Sequence, residues 1–326
     1  MDKRSFTAGI VIPFYQKEAG ILRRCLDSIR NQTFSDKVVL VIVDDSSPLP
    51  AVQEVNAALF PENIEIVILR QKNAGPGIAR NKGFDYLVER GVSFIALLDS
   101  DDMWEPEHLE RAATAFALDA DIYSSNWILT DDTDAFAERG VTVAQLEKHE
   151  AIPNGGFLRQ GLVEQECSTS TIKLSALVVT AKFLQTTRFD SYLRYASEDR
   201  LFILTLAIRK PKVFLSLVPE VKAGRGVNIY ESVDYGTLSN FNTLRDKLNG
   251  RMKMKRLLMQ TQMELAHSFD AQIERTRRAC ALNLYSCLRK GQFSSIFSFI
   301  RIAAKNPVVL FYLVTAPFRR FFMTKN

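Results

Sequence analysis

The stretch ALLDSDDMWEP, residues 96–106, places three aspartates within four positions, directly after an apolar run. Like charges this close repel one another, and aspartate is a poor residue for the interior of a strand or helix. On a strand, Asp99 and Asp101 would point to the same face, where their oxygens would suit a hard cation such as Mg²⁺ or Mn²⁺. The alternative is an ordinary turn in which these aspartates, Asp102 above all, cap a helix that begins near Pro106.

The segment VIVDDSS, residues 41–47, ends a second apolar strand with Asp44 and Asp45. Their carboxylates could accept hydrogen bonds from a base or a ribose. A turn followed by a helix cap explains the same pattern equally well. Both interpretations stay open on these residues alone.

The segment NAGPGIARNKGFD, residues 73–85, combines a glycine-rich turn with the start of a predicted helix. The amides at the N-terminus of such a helix can face an anion. Arg80 and Lys82 oppose the helix dipole in the first turns, and contact with a phosphate would explain their positive charge. The pattern is not the dinucleotide-binding G-x-G-x-x-G.

Glu198 and Asp199 open a predicted amphipathic helix in SEDRLFILTLAIRK. The helix dipole alone favours acidic residues in a first turn, and the functional alternative is a general base that takes a proton from a hydroxyl. The three histidines, His108, His149 and His267, are far apart in the sequence, which argues against a zinc site built from histidine.

The elements that must position these residues alternate between two periodicities. AGIVIPF, KVVLVIV, IEIVIL and VSFIALL are apolar runs typical of strands buried on both faces. EAGILRRCLDSIRNQ, AVQEVNAALF and GIARNKGFDYLVER have helical periodicity. This alternation predicts an α/β fold with a mainly parallel sheet, which binds ligands at the carboxyl ends of its strands. Residues 126–175 are predicted to be surface loops, before a strand and helix in SALVVTAKFL and a strand in KVFLSLVPEVKAG.

The composition is that of a globular protein of 326 residues with one large or two smaller domains. The four cysteines form no C-x-x-C pair and predict reduced thiols in the cytosol. The start of the chain has no apolar segment typical of a signal peptide, and no apolar stretch approaches the roughly 18–20 residues that span a bilayer.

The charge is distributed unevenly along the chain. From residue 241 onward there are 16 Lys and Arg against 4 Asp and Glu, whereas the preceding residues contain 26 against 33. A basic tail of this kind favours contact with an anionic surface, either nucleic acid or phospholipid. The alternative is a packed helical subdomain whose cationic face is solvated.

In order, the segments VIPFYQKEAGILRRCLDSIRNQTF, VIVDDSSP, NAGPGIARNKG, LLDSDDMWEP and SED before an apolar helix resemble the family 2 glycosyltransferases over about residues 6–230. The resemblance implies a mainly parallel α/β sheet of GT-A (nucleotide-diphospho-sugar transferase) type in residues 1–235. A basic helical region, residues 236–326, would follow and could associate with a membrane surface.

The resemblance also implies the roles of individual residues. Asp45 would hydrogen-bond a uracil-type base, Asp101 would hold Mg²⁺ or Mn²⁺ at the diphosphate, and Asp199 would be the catalytic base with Glu198 beside it. The remaining donor-binding positions would be Pro13, Tyr15, Asp44, Asn73, Arg80, Asp99 near the ribose, and Arg225. Gly226 stands where many members have a histidine, which puts a third protein ligand to the metal in doubt.

The resemblance implies an inverting, metal-dependent transfer of a sugar from a nucleotide-diphosphate sugar. The expected donor is a UDP-sugar. The acceptor would be a glycan or a polyprenyl-diphosphate-linked saccharide in bacterial exopolysaccharide synthesis, at the cytoplasmic face of the inner membrane. A module that binds nucleotide sugar or glycan without catalysis is the alternative, but it would have no need of Asp199. No nucleic-acid partner is predicted, because the tail contains no recognisable nucleic-acid-binding module.

Overall fold

The computed structural model describes residues 5–224 and 235–315 of the chain. Their contacts group them into two units. The first unit comprises residues 5–191 and 202–224, and the second comprises residues 192–201 and 235–315. Arg225 and Gly226 lie outside the described residues.

The first unit is built around one sheet. Its strands are β1 (Ala8–Phe14), β2 (Val38–Asp44), β3 (Ile64–Arg70), β4 (Phe94–Leu97), β5 (Met103–Trp104), β6 (Ile122–Ile128), β7 (Leu146–Lys148), β8 (Gly155–Leu158), β9 (Leu177–Thr180) and β10 (Val213–Lys222). Its helices are α1 (Ile21–Arg30), α2 (Pro76–Glu89), α3 (His108–Ala117), α4 (Ala135–Glu138), α5 (Leu162–Thr169) and α6 (Ala181–Leu184). The next helix, α7 (Glu198–Ala207), begins in the second unit, and its residues from Phe202 belong to the first.

The sheet has the strand order β3-β2-β1-β4-β9-β6-β10-β8-β7, with β5 paired to β10. Strands β3, β2, β1 and β4 are parallel neighbours. Strand β9 is antiparallel to both β4 and β6, and β10 is parallel to β6. Strands β1, β2, β3, β4, β6 and β10 therefore run in one direction, which confirms the predicted mainly parallel α/β sheet.

The predicted strands and the first helix form because their apolar residues have somewhere to pack. Every residue of β2 is buried, as expected for a strand covered on both faces. Helix α1 buries the face predicted from its periodicity: Ile21, Leu22, Cys25, Leu26 and Ile29. The parallel pairing then brings the carboxyl ends of β1 to β4 to one edge of the sheet.

The predicted helix in AVQEVNAALF is wrong. The structure has only two 3-10 turns there, Ala51–Gln53 and Ala57–Leu59. The Asn56 side chain accepts a hydrogen bond from the Ala58 amide and starts the second turn. Such a side chain competes with helical hydrogen bonding. The apolar side chains of Val52 and Leu59 are exposed, so no continuous buried face stabilises a longer helix.

The prediction of surface loops over residues 126–175 is also wrong in part. The antiparallel strands β7 and β8 extend the sheet from β10, and helices α4 and α5 lie in the same segment. Leu146, Ile152, Leu162 and Val163 are buried. The short strands escaped prediction because their apolar residues are few and contact non-local neighbours, which short-range periodicity does not reveal.

The second unit is helical in its C-terminal part. Its helices there are α8 (Leu238–Met259), α9 (Met263–Ala266), α10 (Asp270–Arg289) and α11 (Ser295–Lys305). This agrees with the predicted basic helical C-terminal region. Within residues 5–224 and 235–315, no helix is both long enough and apolar enough to cross a bilayer.

A buried carboxylate joins α3, β6 and β10. Glu220 is fully buried and accepts hydrogen bonds from the Tyr123 hydroxyl at 2.7 Å, the Ser216 hydroxyl at 2.7 Å and the Arg111 guanidinium at 3.1 Å. His108 Nδ1 lies 2.9 Å from the other carboxylate oxygen. Burial alone would raise the pKa of Glu220, but these partners, His108 first, hold it below its ordinary value.

We expect Glu220→Ala to lower the free energy of unfolding by about 3–5 kcal/mol, because it leaves buried polar partners unsatisfied. Urea unfolding at neutral pH measures this change. Because the pKa of Glu220 is depressed in the folded protein, the difference should shrink as the pH falls below about 4. The exposed control Glu147→Ala should change stability by less than about 0.5 kcal/mol. Equal effects for the two variants would contradict the assignment.

Candidate active site

The carboxyl ends of β1, β2 and β4 are tied together by three uncharged polar side chains. The Gln16 amide N–H donates to the Ser47 hydroxyl at 2.8 Å, and that hydroxyl donates back to the Gln16 carbonyl at 2.9 Å. The Gln16 side-chain amide donates to the Ser100 hydroxyl at 2.9 Å. All three residues are buried, so the loops after these strands are held as one surface.

Asp44 is buried and binds the chain that follows it. Its carboxylate accepts hydrogen bonds from the Ser47 amide at 2.8 Å and the Ala51 amide at 2.9 Å. This is the turn-forming role that the sequence left open, and it shapes residues 45–51.

Asp45 is also buried, and it holds the loop that precedes α2. One carboxylate oxygen accepts from the Gln71 side-chain amide at 2.8 Å and from the Ala74 amide at 2.7 Å. The other accepts from the Gly75 amide at 2.8 Å. Asn73 is part of this loop and half-buried. Contact of Asp45 with a base remains a prediction, and its observed role is to position the loop.

Pro13 and Tyr15 flank the end of β1. Pro13 pairs with Val43 in the parallel register, and Phe14 pairs with Asp44. Pro13 and Tyr15 are both half-buried, so each presents part of its surface at the sheet edge where the sequence predicts a nucleotide pocket.

Arg80 on α2 reaches the acidic turn. The guanidinium is buried, donates to the Asp99 carboxylate at 2.5 Å and lies 5.2 Å from the centroid of the Phe189 ring. Burial alone would raise the pKa of Asp99, but the charges of Arg80 and Lys173 hold it below its ordinary value. Arg80, for which the sequence predicts contact with a phosphate, therefore neutralises negative charge of the acidic turn in this structure.

The acidic turn differs from its prediction in two respects. Strand β4 ends at Leu97, and the Asp102 amide donates to the Asp99 carbonyl at 3.1 Å, so a turn rather than strand alternation presents Asp99 and Asp101. Asp102 does not cap α3. Its carboxylate accepts from the Gly224 amide at 2.9 Å, from Lys173 at 2.7 Å and from the Ser175 hydroxyl.

The pKa of Asp101 is shifted in the direction opposite to that of Asp99. Burial raises the pKa of Asp101 to about 6, together with the charges of Asp102 and Asp99. Burial alone would lower the pKa of Lys173, but the nearby carboxylates, Asp102 first, raise it. A positive charge placed beside Asp101 would favour its ionised form.

The end of β10 passes very close to the turn. A Cβ atom at position 224 would lie 1.6 Å from the Asp101 carbonyl oxygen, so only glycine fits there without moving one of the two segments. Together with the bond from its amide to Asp102, this approach fixes the point from which the chain continues to Arg225. The predicted role of Arg225 itself is outside the described residues.

Glu198 and Asp199 lie in the second unit, in the first turn of α7. Glu198 is buried, whereas Asp199 is exposed and accepts a hydrogen bond from the Arg200 amide at 2.7 Å. The segment before them is held by Asp246, a fully buried residue of α8 that accepts from the Arg194 and Tyr195 amides, each at 2.9 Å. An exposed carboxylate on a fixed helix start could accept a proton from a bound hydroxyl.

The acidic turn provides the oxygen donors that Mg²⁺ and Mn²⁺ prefer. Within the described residues, no group of three or more His, Cys, Asp or Glu is placed to hold a metal ion. This donor set fits a cation that takes one or two carboxylates from the protein and its other ligands from water and phosphate.

Six further residues of this region have structural roles that the sequence motifs did not predict: Gln16, Ser47, Ser100, Lys173, Ser175 and Asp246. Gln16 follows Tyr15 directly and could have been found from its place at a strand end. Lys173 and Asp246 had no signal, because the residues that they contact lie far away along the chain and become their neighbours only on folding.

Comparison with known proteins identifies related sequences. A family model described as Glycosyl transferase family 2 matches residues 9–167. The succinoglycan biosynthesis protein ExoW of Rhizobium meliloti is 35% identical over 274 residues, which cover 79% of this chain and 83% of that protein. The minor teichoic acid biosynthesis protein GgaA of Bacillus subtilis is 37% identical over 111 residues, 33% of this chain and 24% of that protein.

Solved structures share the fold at lower identity. S. aureus TarS 1-349 in complex with UDP-GlcNAc aligns with a TM-score of 0.60 and 18% identity, covering 91% of this chain and 81% of that one. The mannosyltransferase PcManGT from Pyrobaculum calidifontis, in complex with GDP-Man and Mn²⁺, aligns with a TM-score of 0.55 and 13% identity, covering 99% and 89%. At 18% and 13% identity, these alignments show that the chain has the GT-A fold. The family model over residues 9–167 and the extended match to ExoW show that the chain belongs to the family 2 glycosyltransferases.

Proposed function

We propose that this glycosyltransferase moves a sugar from a UDP-sugar to a hydroxyl group of a glycan or lipid-linked saccharide, with inversion at the anomeric carbon, in bacterial exopolysaccharide synthesis. The observation that carries the proposal is the acidic turn of Asp99 and Asp101, held against Arg80 at the edge of the parallel sheet. The similarity to ExoW, a protein named for succinoglycan biosynthesis, supports the exopolysaccharide context, and a TarS complex with UDP-GlcNAc supports a UDP-sugar donor.

The donor would bind along the carboxyl ends of β1, β2 and β4. Pro13 and Tyr15 would border the base, Asp45 would accept a hydrogen bond from it, and Asp99 would contact the ribose. The loop that Asp45 holds, with Asn73 in it, would form the next part of the pocket. Asp44 would keep the turn after β2 in shape.

Asp101 would hold Mg²⁺ or Mn²⁺, which when bound would neutralise charge on the nucleoside diphosphate. PcManGT, with Mn²⁺ in its complex, is consistent with such a cation. Arg80 would contribute a fixed positive charge, shared between Asp99 and the phosphates, and Arg225 would add another phosphate contact. Positive charge placed where the leaving group gains negative charge lowers the barrier to its departure.

Asp199 would remove the proton from the acceptor hydroxyl, and Glu198 would support it from the same helical turn. The oxygen would then attack the anomeric carbon from the side opposite the diphosphate. One such displacement inverts the configuration and gives a β-linked product from an α-linked donor. We assign this catalytic domain to residues 1–235 and the basic helical region to residues 236–326.

We also propose that the basic helical region contacts the inner face of the cell membrane from the cytoplasm. Helix α11 buries Phe299 and Ile302 but exposes Phe297 and Ile300 by 69% and 53%. The last 52 residues of the chain contain ten Lys and Arg and no Asp or Glu. Apolar side chains beside positive charge are the combination that binds anionic lipid surfaces without crossing them.

We expect Asp199→Asn to reduce sugar transfer on the order of 10²–10⁴-fold, because the amide cannot accept the hydroxyl proton. A coupled assay of UDP release in the presence of acceptor measures the rate. Donor binding should persist, and the exposed control Glu264→Gln should retain full activity. Transfer at the wild-type rate would refute the base assignment, and absence of transfer in the wild-type enzyme with every donor and acceptor tried would favour a non-catalytic binding module.

Asp101→Ala should abolish the dependence of UDP binding on Mg²⁺ or Mn²⁺, since it removes the proposed protein ligand. Calorimetric titration of UDP with and without the cation measures this dependence. The exposed control Asp131→Ala should bind like the wild-type protein. Metal-dependent binding that survives in Asp101→Ala would mean that the ligand lies elsewhere.

The double change Phe297→Ser and Ile300→Ser should weaken binding to vesicles containing phosphatidylglycerol by at least about tenfold, because each exposed side chain is expected to contribute on the order of 1 kcal/mol on insertion. Vesicle co-sedimentation measures the change. Val52→Ser with Leu59→Ser is the matched control, because those apolar side chains are also exposed but lie in the first unit. Equal losses in the two double variants would contradict the assigned surface.

A further inference from the structure

Some arginines of helices α8 and α10 form no ion pair with the described residues. The ion pairs described there join Arg245 to Asp246, and Lys255 and His267 to Asp270. Among the described residues, no carboxylate lies within ion-pair distance of Arg251 on α8 or of Arg275 and Arg278 on α10. These positive charges are therefore not neutralised by direct pairing within the described part of the chain.

Three guanidinium groups converge on the start of α10. The Arg251 guanidinium donates to the Gln272 carbonyl at 3.1 Å and to the Thr276 hydroxyl. Arg275 lies in the same turn, where its Nε donates to the Ala271 carbonyl at 3.3 Å. From α7, the Arg200 guanidinium lies 5.6 Å from the centroid of the Phe269 ring, one residue before α10 begins. We call Arg200, Arg251 and Arg275 the arginine cluster.

The charges of the cluster act on one another. Burial lowers the pKa of Arg251, and the positive charges of Arg200 and Arg275 lower it further. A shift in this direction means that the charged form of Arg251 is disfavoured where it stands. An anion placed among the three groups would reverse this effect.

The arginine cluster lies beside the proposed base. A Cβ atom at position 250 would lie 2.5 Å from the Ser197 Cβ, so glycine allows α8 to pack directly against the residue that precedes Glu198. Arg251 follows Gly250, and Arg200 follows Asp199, whose carboxylate accepts from the Arg200 amide. The exposed carboxylate of Asp199 and the cluster thus belong to one small region of the second unit.

We infer that Arg200, Arg251 and Arg275 bind a phosphate or diphosphate group of the acceptor and so bring its hydroxyl to Asp199. Guanidinium groups suit this ligand because their planar N–H forks bind two phosphate oxygens at once. A negative charge bound by the cluster is distinct from the donor diphosphate, which the proposed function assigns to the first unit. The inference rests on the proposed function for the identity of the molecule that carries the phosphate and for Asp199 as the base.

Calorimetric titration of the full-length protein with inorganic pyrophosphate tests the site without requiring sugar transfer. EDTA is included so that no divalent cation supports binding at the acidic turn. We expect the double variant Arg251→Gln with Arg275→Gln to weaken pyrophosphate binding by at least tenfold, and the exposed single variant Arg275→Gln by about threefold or more. Pyrophosphate affinity equal to that of the wild type in both variants would overturn the inference.

The matched control is Arg289→Gln, which removes the same charge from the other end of α10. It lies 14 residues from Arg275, or about 21 Å along the helix, beyond the Debye length of about 8 Å at physiological ionic strength. Its pyrophosphate affinity should equal that of the wild type. A loss as large as that of the double variant would show a general charge effect and would also overturn the inference. Unchanged UDP binding with Mn²⁺ confirms that the variants are folded.

A second arm separates the acceptor from the bilayer as the source of the phosphate. Vesicles containing phosphatidylglycerol are titrated with the same variants. Retained vesicle binding together with lost pyrophosphate binding supports an acceptor site, whereas lost vesicle binding with retained pyrophosphate binding assigns the arginines to lipid headgroups and overturns it. If the wild-type protein transfers no sugar but binds pyrophosphate through these arginines, the anion site stands and the proposed function fails.

Discussion

The balance of charge at the turn after β4 is the constraint on which the first unit depends. Three carboxylates within four residues, Asp99 to Asp102, would repel one another without positive charge nearby. The chain supplies that charge from two distant segments, Arg80 on α2 and Lys173 before β9. Because both cations are largely shielded from solvent, their attraction is screened less than that of surface pairs. Arg80 and Lys173 therefore compensate the charge of the turn, while burial and the neighbouring carboxylates raise the pKa of Asp101.

Several loops of the protein are held in the same way, by an aspartate that accepts hydrogen bonds from their backbone N–H groups. Asp44 holds residues 47 and 51, Asp45 holds residues 74 and 75, and Asp102 holds Gly224. In the second unit, Asp246 holds residues 194 and 195 before Glu198. Each hydrogen bond that such a buried carboxylate accepts offsets part of the free-energy cost of its desolvation. These aspartates therefore fix the loops and segments that carry the candidate site residues.

The fold of the first unit was largely predictable because its signals are local. The apolar runs of β1 to β4, the buried face of α1 and the glycine-rich start of α2 each fall within a window of a few residues, and they lie where predicted. The helix predicted in residues 51–60 was wrong, and the loops predicted in 126–175 were wrong in part. In the first, Asn56 opens a new turn and no partner covers Val52 or Leu59; in the second, β7 and β8 form by pairing onto β10. The first outcome comes from a local side-chain hydrogen bond and exposed apolar residues, and the second from pairing with a distant strand; apolar periodicity indicates neither.

The sequence by itself determined the family, the mainly parallel sheet, the edge at which the acidic residues gather and the basic character of the C-terminal region, because order and spacing of short motifs are properties of the chain alone. Only the tertiary structure decided which partner each charge has. Arg80 binds Asp99, Asp102 is a structural anchor rather than a helix cap, and Asp246 fixes the segment before Asp199. Such pairings join residues separated by 19 to 122 positions in sequence. Burial then sets their strength, since a charge removed from water must find its partner within a few ångströms.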